Sequence, residues 1–403
     1  GTTITTGIQN TLIGALAGDA LTTGIRNVAI GYEALTTEDT HHYNVAIGYR
    51  SLQNQNAGAN AYNVAIGADA GRTTTTGVQN TLIGGNAGDA LTTGSNNIAI
   101  GYLALSAEDA HGKNIAIGVN ALAVQNAGAD AYNVAVGYNS GNAITTGLYN
   151  TVLGGEALLT NVDGDKNTAI GFRALKTFEA NSDGHGKNVA LGANALENSS
   201  TGTENTALGT EAMGSGDVTG DLNTAVGFAS GRALTSGTQN TLIGAYSGDA
   251  LTEGSGNVAV GYLALSTEDT HGKNVAVGYQ SLFAQNAGAD AYNVAVGYQA
   301  GTVISTGTLN TIVGGLAGDA LTEGNNNTVM GYAALSSETL GDRNVAIGNF
   351  ALENQNNTSD TDAYNTAVGY KAGNAVTTGI NNTILGGLSG DAVTTGTGNT
   401  LLG

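Results

Sequence analysis

The segment TTEDTHHYN (36–44) sets Glu38, Asp39, His41 and His42 within five positions. Carboxylate oxygens and imidazole nitrogens that close in sequence suit a divalent metal or an acid–base pair. The segment returns as AEDAHGKN (107–114) and TEDTHGKN (267–274). It returns once more as SETLGDRN (337–344), where Asp and His are both gone and Gly341 stands in the His place. A metal site that loses ligands from copy to copy is a poor expectation. His41, His111, His185 and His271 instead share the place that most copies give to Gly, which predicts a turn. The reading is therefore that no residue is catalytic, cofactor-binding or metal-ligating, and that the chain is not an enzyme. His42 alone among the histidines has no explanation in the pattern.

Other candidate chemistry reads the same way. Asp19, Asp89, Asp249, Asp319 and Asp391 follow Gly in AGDALT-like segments. They lack the G-G-x-G-x-D-x-U-x calcium repeat and read as a turn or a solvated acidic row. Thr pairs such as Thr22-Thr23 and Thr92-Thr93 are interrupted by Glu-Asp and Gln-Asn segments, so no flat ice-binding array is expected. Gly runs such as GTGTLNTIVGG have no Gly-Lys-Ser/Thr ending and are not phosphate loops. Tyr32, Tyr49, Tyr102 and Tyr262 read as core packing or an edge ladder, with sugar stacking as the functional counterpart.

These residues sit on a repeat that runs the length of the chain. Asn-[TVI]-[ALVI]-[ILVM]-Gly recurs 23 times from Asn10 to Asn399, usually at a step of 17 residues and sometimes at 18, 19 or 21. A longer period of 70 residues carries Asn10 to Asn80, Asn80 to Asn150 and Asn240 to Asn310. The expected superrepeats are 10–79, 80–149, 150–239 (irregular, with five rungs), 240–309, 310–381 and a truncated 382–403, all in one repetitive domain spanning 1–403. Short β-branched runs bounded by Gly, Asn, Asp and Thr are strands and turns. A unit of about 17 residues is too short for a helical hairpin and fits one coil of a β-solenoid. The expected fold is thus all-β: a parallel β-solenoid or β-roll of about 23 rungs. At about 4.8 Å per rung the rungs would make a rod on the order of 100 Å long.

With the anchor Asn as position 0, each place in a rung has its own expectation. Position +4 is always Gly, which predicts φ > 0 or close backbone approach. The anchor Asn residues suit a side-chain amide ladder. Positions +2 and +3 are both apolar, and neighbouring strand residues face opposite ways. One face can fill the coil; the other needs a second partner, which three chains around an axis would supply. Position +7 is Ala or Ser. Position +8 is Gly or Leu according to rung, with Leu158 a departure. Position -3 is Gly in 15 rungs and His, Asp or Asn in eight, including His41, Asn60, Asp130 and Asp290. Asn, Asp and His are the non-Gly residues enriched at positive φ, so -3 is expected to be left-handed.

Composition narrows the function. The 403 residues are 41% hydrophobic and 11% charged, with 64 Gly and no Pro, Cys or Trp. A chain that is β ladder nearly throughout would exclude Pro. A net charge of -20 argues against nucleic acid, where a basic footprint is expected, and against an anionic membrane surface. No apolar run approaches the roughly 18 residues needed to span a bilayer, so no membrane insertion is expected. The chain opens inside a rung and stops at NTLLG, which suggests an excerpt of a longer protein or a subunit that stacks end to end.

The phrases NVAIGYEAL (27–35), NTAIGFRAL (167–175) and NTAVGYKAG (365–373) resemble the repeats of trimeric fibre proteins. One such group is the head of trimeric autotransporter adhesins; the other, closer in its GYxAL and TTGxxNT phrases, is the shaft of phage tail fibres. The resemblance implies a homotrimeric rod on a virion or at a cell surface. It also implies scaffold roles for Asn27, Ile30, Gly31 and their equivalents. Its partners would be its own copies and a host cell-surface glycan or protein, with no cofactor. The expected function is a tail-fibre shaft that positions host-attachment determinants. The alternatives are a bacterial surface adhesin or extracellular filament subunit, and a glycan-degrading tailspike. The tailspike would need a carboxylate pair, for which the middle superrepeat offers Glu156, Asp163, Asp165, Glu179, Asp183 and Glu197.

Overall fold

Each Asn-anchored pentamer supplies one three-residue strand, formed by positions +1 to +3. This is seen in a computed structural model that describes residues 3–179 and 185–403. Among the described residues there is no helix. Chain contacts form two compact units, Gly1–Glu204 and Asn205–Gly403. Each is a parallel β-solenoid, and together they hold about 23 turns.

In the first unit, strands stack from Thr11–Ile13 to Val189–Leu191. The stacking is in register: Thr11 pairs with Val28, Leu12 with Ala29 and Ile13 with Ile30. The second unit repeats this from Thr206–Leu208 to Thr400–Leu402. It also carries one short extra pair, Gly341–Asp342 with Thr361–Asp362. Parallel neighbours need a crossover of a dozen or more residues, which the rest of each coil provides. In-register stacking places each rung position above its own kind, so a rung position is also a row along the solenoid.

The anchor Asn row is buried and closes the backbone on itself. Asn150 Oδ1 accepts the peptide N–H of Asn167 at 2.9 Å, and its Nδ2 donates to the Gly164 carbonyl at 2.9 Å. The expected amide ladder is present, but most of its bonds run to backbone groups. At +4, Gly31 has φ 139°, and a Cβ there would stand 2.3 Å from the Gly48 carbonyl oxygen. Both expected reasons for Gly therefore hold at once.

The left-handed residues are elsewhere than expected. Positive φ falls at -1 (Arg26, Tyr43, Lys113), +6 (Glu33, Arg50, Leu103) and +8 (Leu35, Leu52, Gly88). Position -3 is not left-handed, which corrects the expectation. Its Gly is required by crowding: a Cβ on Gly24 would meet the His41 carbonyl oxygen at 2.6 Å, and one on Gly237 the Gly254 oxygen at 2.4 Å. Those carbonyls are the ones the anchor Asn Nδ2 groups hold in place. His, Asp or Asn enters at -3 only beside a coil lengthened to 19 or 21 residues.

The core lies inside each coil. It is built from position 0, +2, +7, +8 and +11 side chains, for example Asn27, Ala29, Ala34 and Leu35, all fully buried. Positions +2 and +8 share volume. Leu12 goes with Gly18, whose Cβ would meet Leu12 Cδ2 at 2.8 Å, and Ala29 goes with Leu35. Leu158 fits because its rung carries the smaller Val152 at +2; Val329 with Leu335 repeats the pairing. The outer strand face is different. Leu153 and Met330, both at +3, remain 47% exposed, and most other +3 residues, such as Ile30 and Ile100, are half-buried, so the second face is only partly covered within the chain.

Candidate functional site

Position +11 is a core row, filled by Leu21, Leu91, Ile144, Leu251 and Ile304 in first and fourth rungs. In second rungs the same row takes Glu38, Glu108, Glu268 and Glu338, each fully buried. The Glu-Asp-x-His cluster is therefore anchored from inside the coil. Sequence reading missed this; the signal was the Leu at +11 in the first rung beside each second rung, Leu21, Leu91, Leu251 and Leu321.

The carboxylate is held by the turn above it. Glu38 Oε1 accepts the His41 peptide N–H at 3.0 Å and faces His41 Nδ1 at 2.9 Å. In the second and third copies the peptide bond is kept at 3.1 Å, while the ring nitrogen stands back at 3.7 Å from Glu108 and 3.9 Å from Glu268. In all three copies Glu, Asp and His each place one ligand atom within 4.8 Å of the others. Burial pushes the Glu108 carboxyl up against the pull of the His111 and Ala127 amides, and pushes Glu268 up to about 7.

Two buried atoms here lack a hydrogen bond in all three copies, and a third lacks one in the second copy alone. Glu38, Glu108 and Glu268 each leave Oε2 without a partner, as does Nδ2 of Asn44, Asn114 and Asn274. His111 Nδ1 is likewise unpaired. The fourth copy differs. Glu338 Oε2 accepts from Gln355 Nε2 and Asn357 Nδ2, both at 2.8 Å, and its Oε1 accepts from the Gly341 amide at 2.8 Å. Asn357 stands where the earlier copies have Ala57, Ala127 and Ala287.

His42 has a plain role. Its Nδ1 accepts the Ile25 peptide N–H at 2.9 Å, so that nitrogen carries no proton. The same place, -2, is used by Ser95 toward Val78, Asp165 toward Leu148 and Ser255 toward Thr238. It is a capping position that accepts any short-range acceptor.

The other predicted groups are dispersed. Asp249 accepts from Ser266 Oγ at 2.5 Å, and burial pushes Asp89 and Asp319 up. First-of-pair threonines are used inside the fold, as Thr92 Oγ1 donating to the Asp109 carbonyl at 2.8 Å. In the middle superrepeat, Glu156 and Glu197 both reach Arg173, at 2.9 and 3.7 Å. Arg173 holds the Glu156 carboxyl below its usual range, the reverse of what a general acid needs. Asp165 is on the capping row; Asp183 lies outside the described residues.

The outer face is the remaining surface of note. Tyr at +5 is not core: Tyr32, Tyr102 and Tyr298 are 46–55% exposed. Several stack as an edge ladder, Tyr262 on Tyr279 at 5.5 Å and Tyr279 on Tyr298 at 5.2 Å. Lys273 joins Asp290 at 2.6 Å and the Tyr292 hydroxyl at 2.9 Å, and Lys113 repeats this with Asp130 and Tyr132.

No family model, curated protein or solved structure matches this chain.

Proposed function

We propose that this chain is the structural shaft of a homotrimeric fibre, of the kind that carries host-attachment determinants on a phage tail. The observation that supports it most is the partly uncovered +3 row. Leu153, Ile243, Met330 and Leu385 stay 38–47% exposed on the outer strand face, flanked by the Val and Thr side chains of +1. An apolar stripe repeated at every coil is costly to leave in water. Equivalent stripes from two further copies would cover it along the whole shaft. The mechanism is mechanical: backbone and Asn ladders stiffen each unit, and the number of coils sets reach. The exposed tyrosine ladder favours multivalent contact with a host glycan along the shaft itself.

Sedimentation equilibrium of the full chain tests the reading. The expected mass is three times the 39.9 kDa of one chain. Ile243→Lys combined with Met330→Lys is expected to shift the mass toward one chain while the far-ultraviolet spectrum stays β. A wild-type chain that is monomeric at micromolar concentration overturns it.

A further inference from the structure

We propose that the three Glu-Asp-x-His clusters are divalent transition-metal sites of the zinc type, one per cluster. The ligands would be Glu38, Asp39 and His41; Glu108, Asp109 and His111; and Glu268, Asp269 and His271. Two of these sites lie in the first unit and one in the second.

The donor set carries the chemical class. One imidazole nitrogen with two carboxylate oxygens suits zinc and its first-row neighbours, and leaves room for water as a further ligand. Two ligands on one such ion, at about 2.0–2.2 Å each, stand at most about 4 Å apart. The three donor atoms already lie within 4.8 Å of one another, so small side-chain rotations close the site. In the second and third copies the His ring has already stepped back to 3.7 and 3.9 Å from the carboxylate, too far for a hydrogen bond. In the first copy His41 would exchange its 2.9 Å contact for the metal.

Unpaired buried groups are the independent observation. A fully buried carboxylate with an unpartnered oxygen is costly unless something neutralises or bonds it. That condition holds in all three clusters, and His111 adds an unpartnered Nδ1 on the side facing Glu108. Thr270 Oγ1 stands 3.0 Å from His271 Nδ1, whereas Ala110 offers the second copy no such partner.

The fourth copy is a natural control. It has lost both Asp and His, and there Glu338 is fully hydrogen-bonded by Gln355, Asn357 and Gly341. Ligands are lost only where side-chain amides replace them. The variation that made a metal unattractive from sequence thus becomes an argument for one. The function is structural: each ion would pin the turn where the next coil lengthens to 19 residues and the Asn44, Asn114 and Asn274 amides lose their usual carbonyl.

The test uses the full chain, stripped with a chelator, dialysed against zinc chloride and measured by elemental mass spectrometry and titration calorimetry. The expected stoichiometry is three zinc ions per chain. His41→Gln, His111→Gln and His271→Gln should each remove one, and Glu338→Gln none. Cobalt substitution should give visible ligand-field bands that fall by about a third with each His variant. Two outcomes overturn the proposal. One is a stoichiometry unmoved by the His variants, which means adventitious binding to an acidic surface. The other is no zinc bound by the folded wild type, which means water or a proton satisfies the glutamates. The single variants keep the test decisive if a triple variant fails to fold.

Discussion

Leu242 and Gly248 divide one volume: a Cβ on Gly248 would stand 2.8 Å from Leu242 Cδ2. Gly248 is also left-handed, with φ 53°. Second rungs solve the same space the other way, with Ala259 and Leu265. Leu242→Ala is expected to cost about 2–5 kcal/mol through the cavity it leaves. Gly248→Leu alone should cost about 1–3 kcal/mol by overpacking. The double variant reproduces a second-rung pair and should regain at least half of the Leu242→Ala loss. Urea midpoints of the three variants check this; strict additivity would show that the two residues do not share the space.

Position -3 gives a prediction that separates crowding from backbone handedness. Gly237 would meet the Gly254 oxygen at 2.4 Å if it carried a Cβ. Gly237→Ala and Gly237→Asn should therefore lower the thermal midpoint alike. A left-handed site would favour Asn over Ala, so a clear advantage for Asn would restore the handedness reading.

His42 should be replaceable by another acceptor. His42→Ala leaves the Ile25 amide without its 2.9 Å partner and should cost about 1 kcal/mol. His42→Ser, which copies Ser95 and Ser255, should cost less than half as much. Hydrogen exchange at the Ile25 amide reads it directly: fast in the Ala variant and protected in the Ser variant.

The fold was legible because stacking makes a rung position a row, and a row multiplies a weak preference into an unbroken one. Gly31 and Asn27 stand for rows whose backbone needs admit one residue type. The left-handed rows were also legible in principle. Positions -1, +6 and +8 never carry Val, Ile or Thr, the residues least able to adopt positive φ. Attention fell instead on Gly, which at Gly24 answers a carbonyl 17 residues away, a contact that no local pattern contains. The candidate site was half legible. The Glu-Asp-x-His spacing was visible, but the burial of Glu38 depends on Leu21 and Gln55 above and below it in the +11 row, and its missing partner depends on a lengthened coil. Whether side chains are satisfied is a property of three-dimensional neighbours, so the difference between Glu268 and Glu338 could not be read from their identical residue type.

Glu268 makes stability depend on pH with a definite sign. Burial raises its folded value from 4.5 to about 7, with Asp269 adding to the rise and the His271 and Ala287 amides opposing it. Between pH 4.5 and 7 the folded chain holds a proton that the unfolded chain has released. Folding is then favoured by acid: the contribution is complete below about pH 4.5 and is lost as pH rises through about 7. Glu268→Gln keeps the size and removes the titration. In chelator, the wild-type urea midpoint should fall across this window with a slope of up to about 1.4 kcal/mol per pH unit from this group. The Gln variant should be flatter and more stable at pH 7. Added zinc should reverse the wild-type trend, because metal binding favours the ionised carboxylate, and should shift the variant less, through the two clusters it keeps. Parallel profiles for the two proteins in chelator would mean that Glu268 is not the group that titrates.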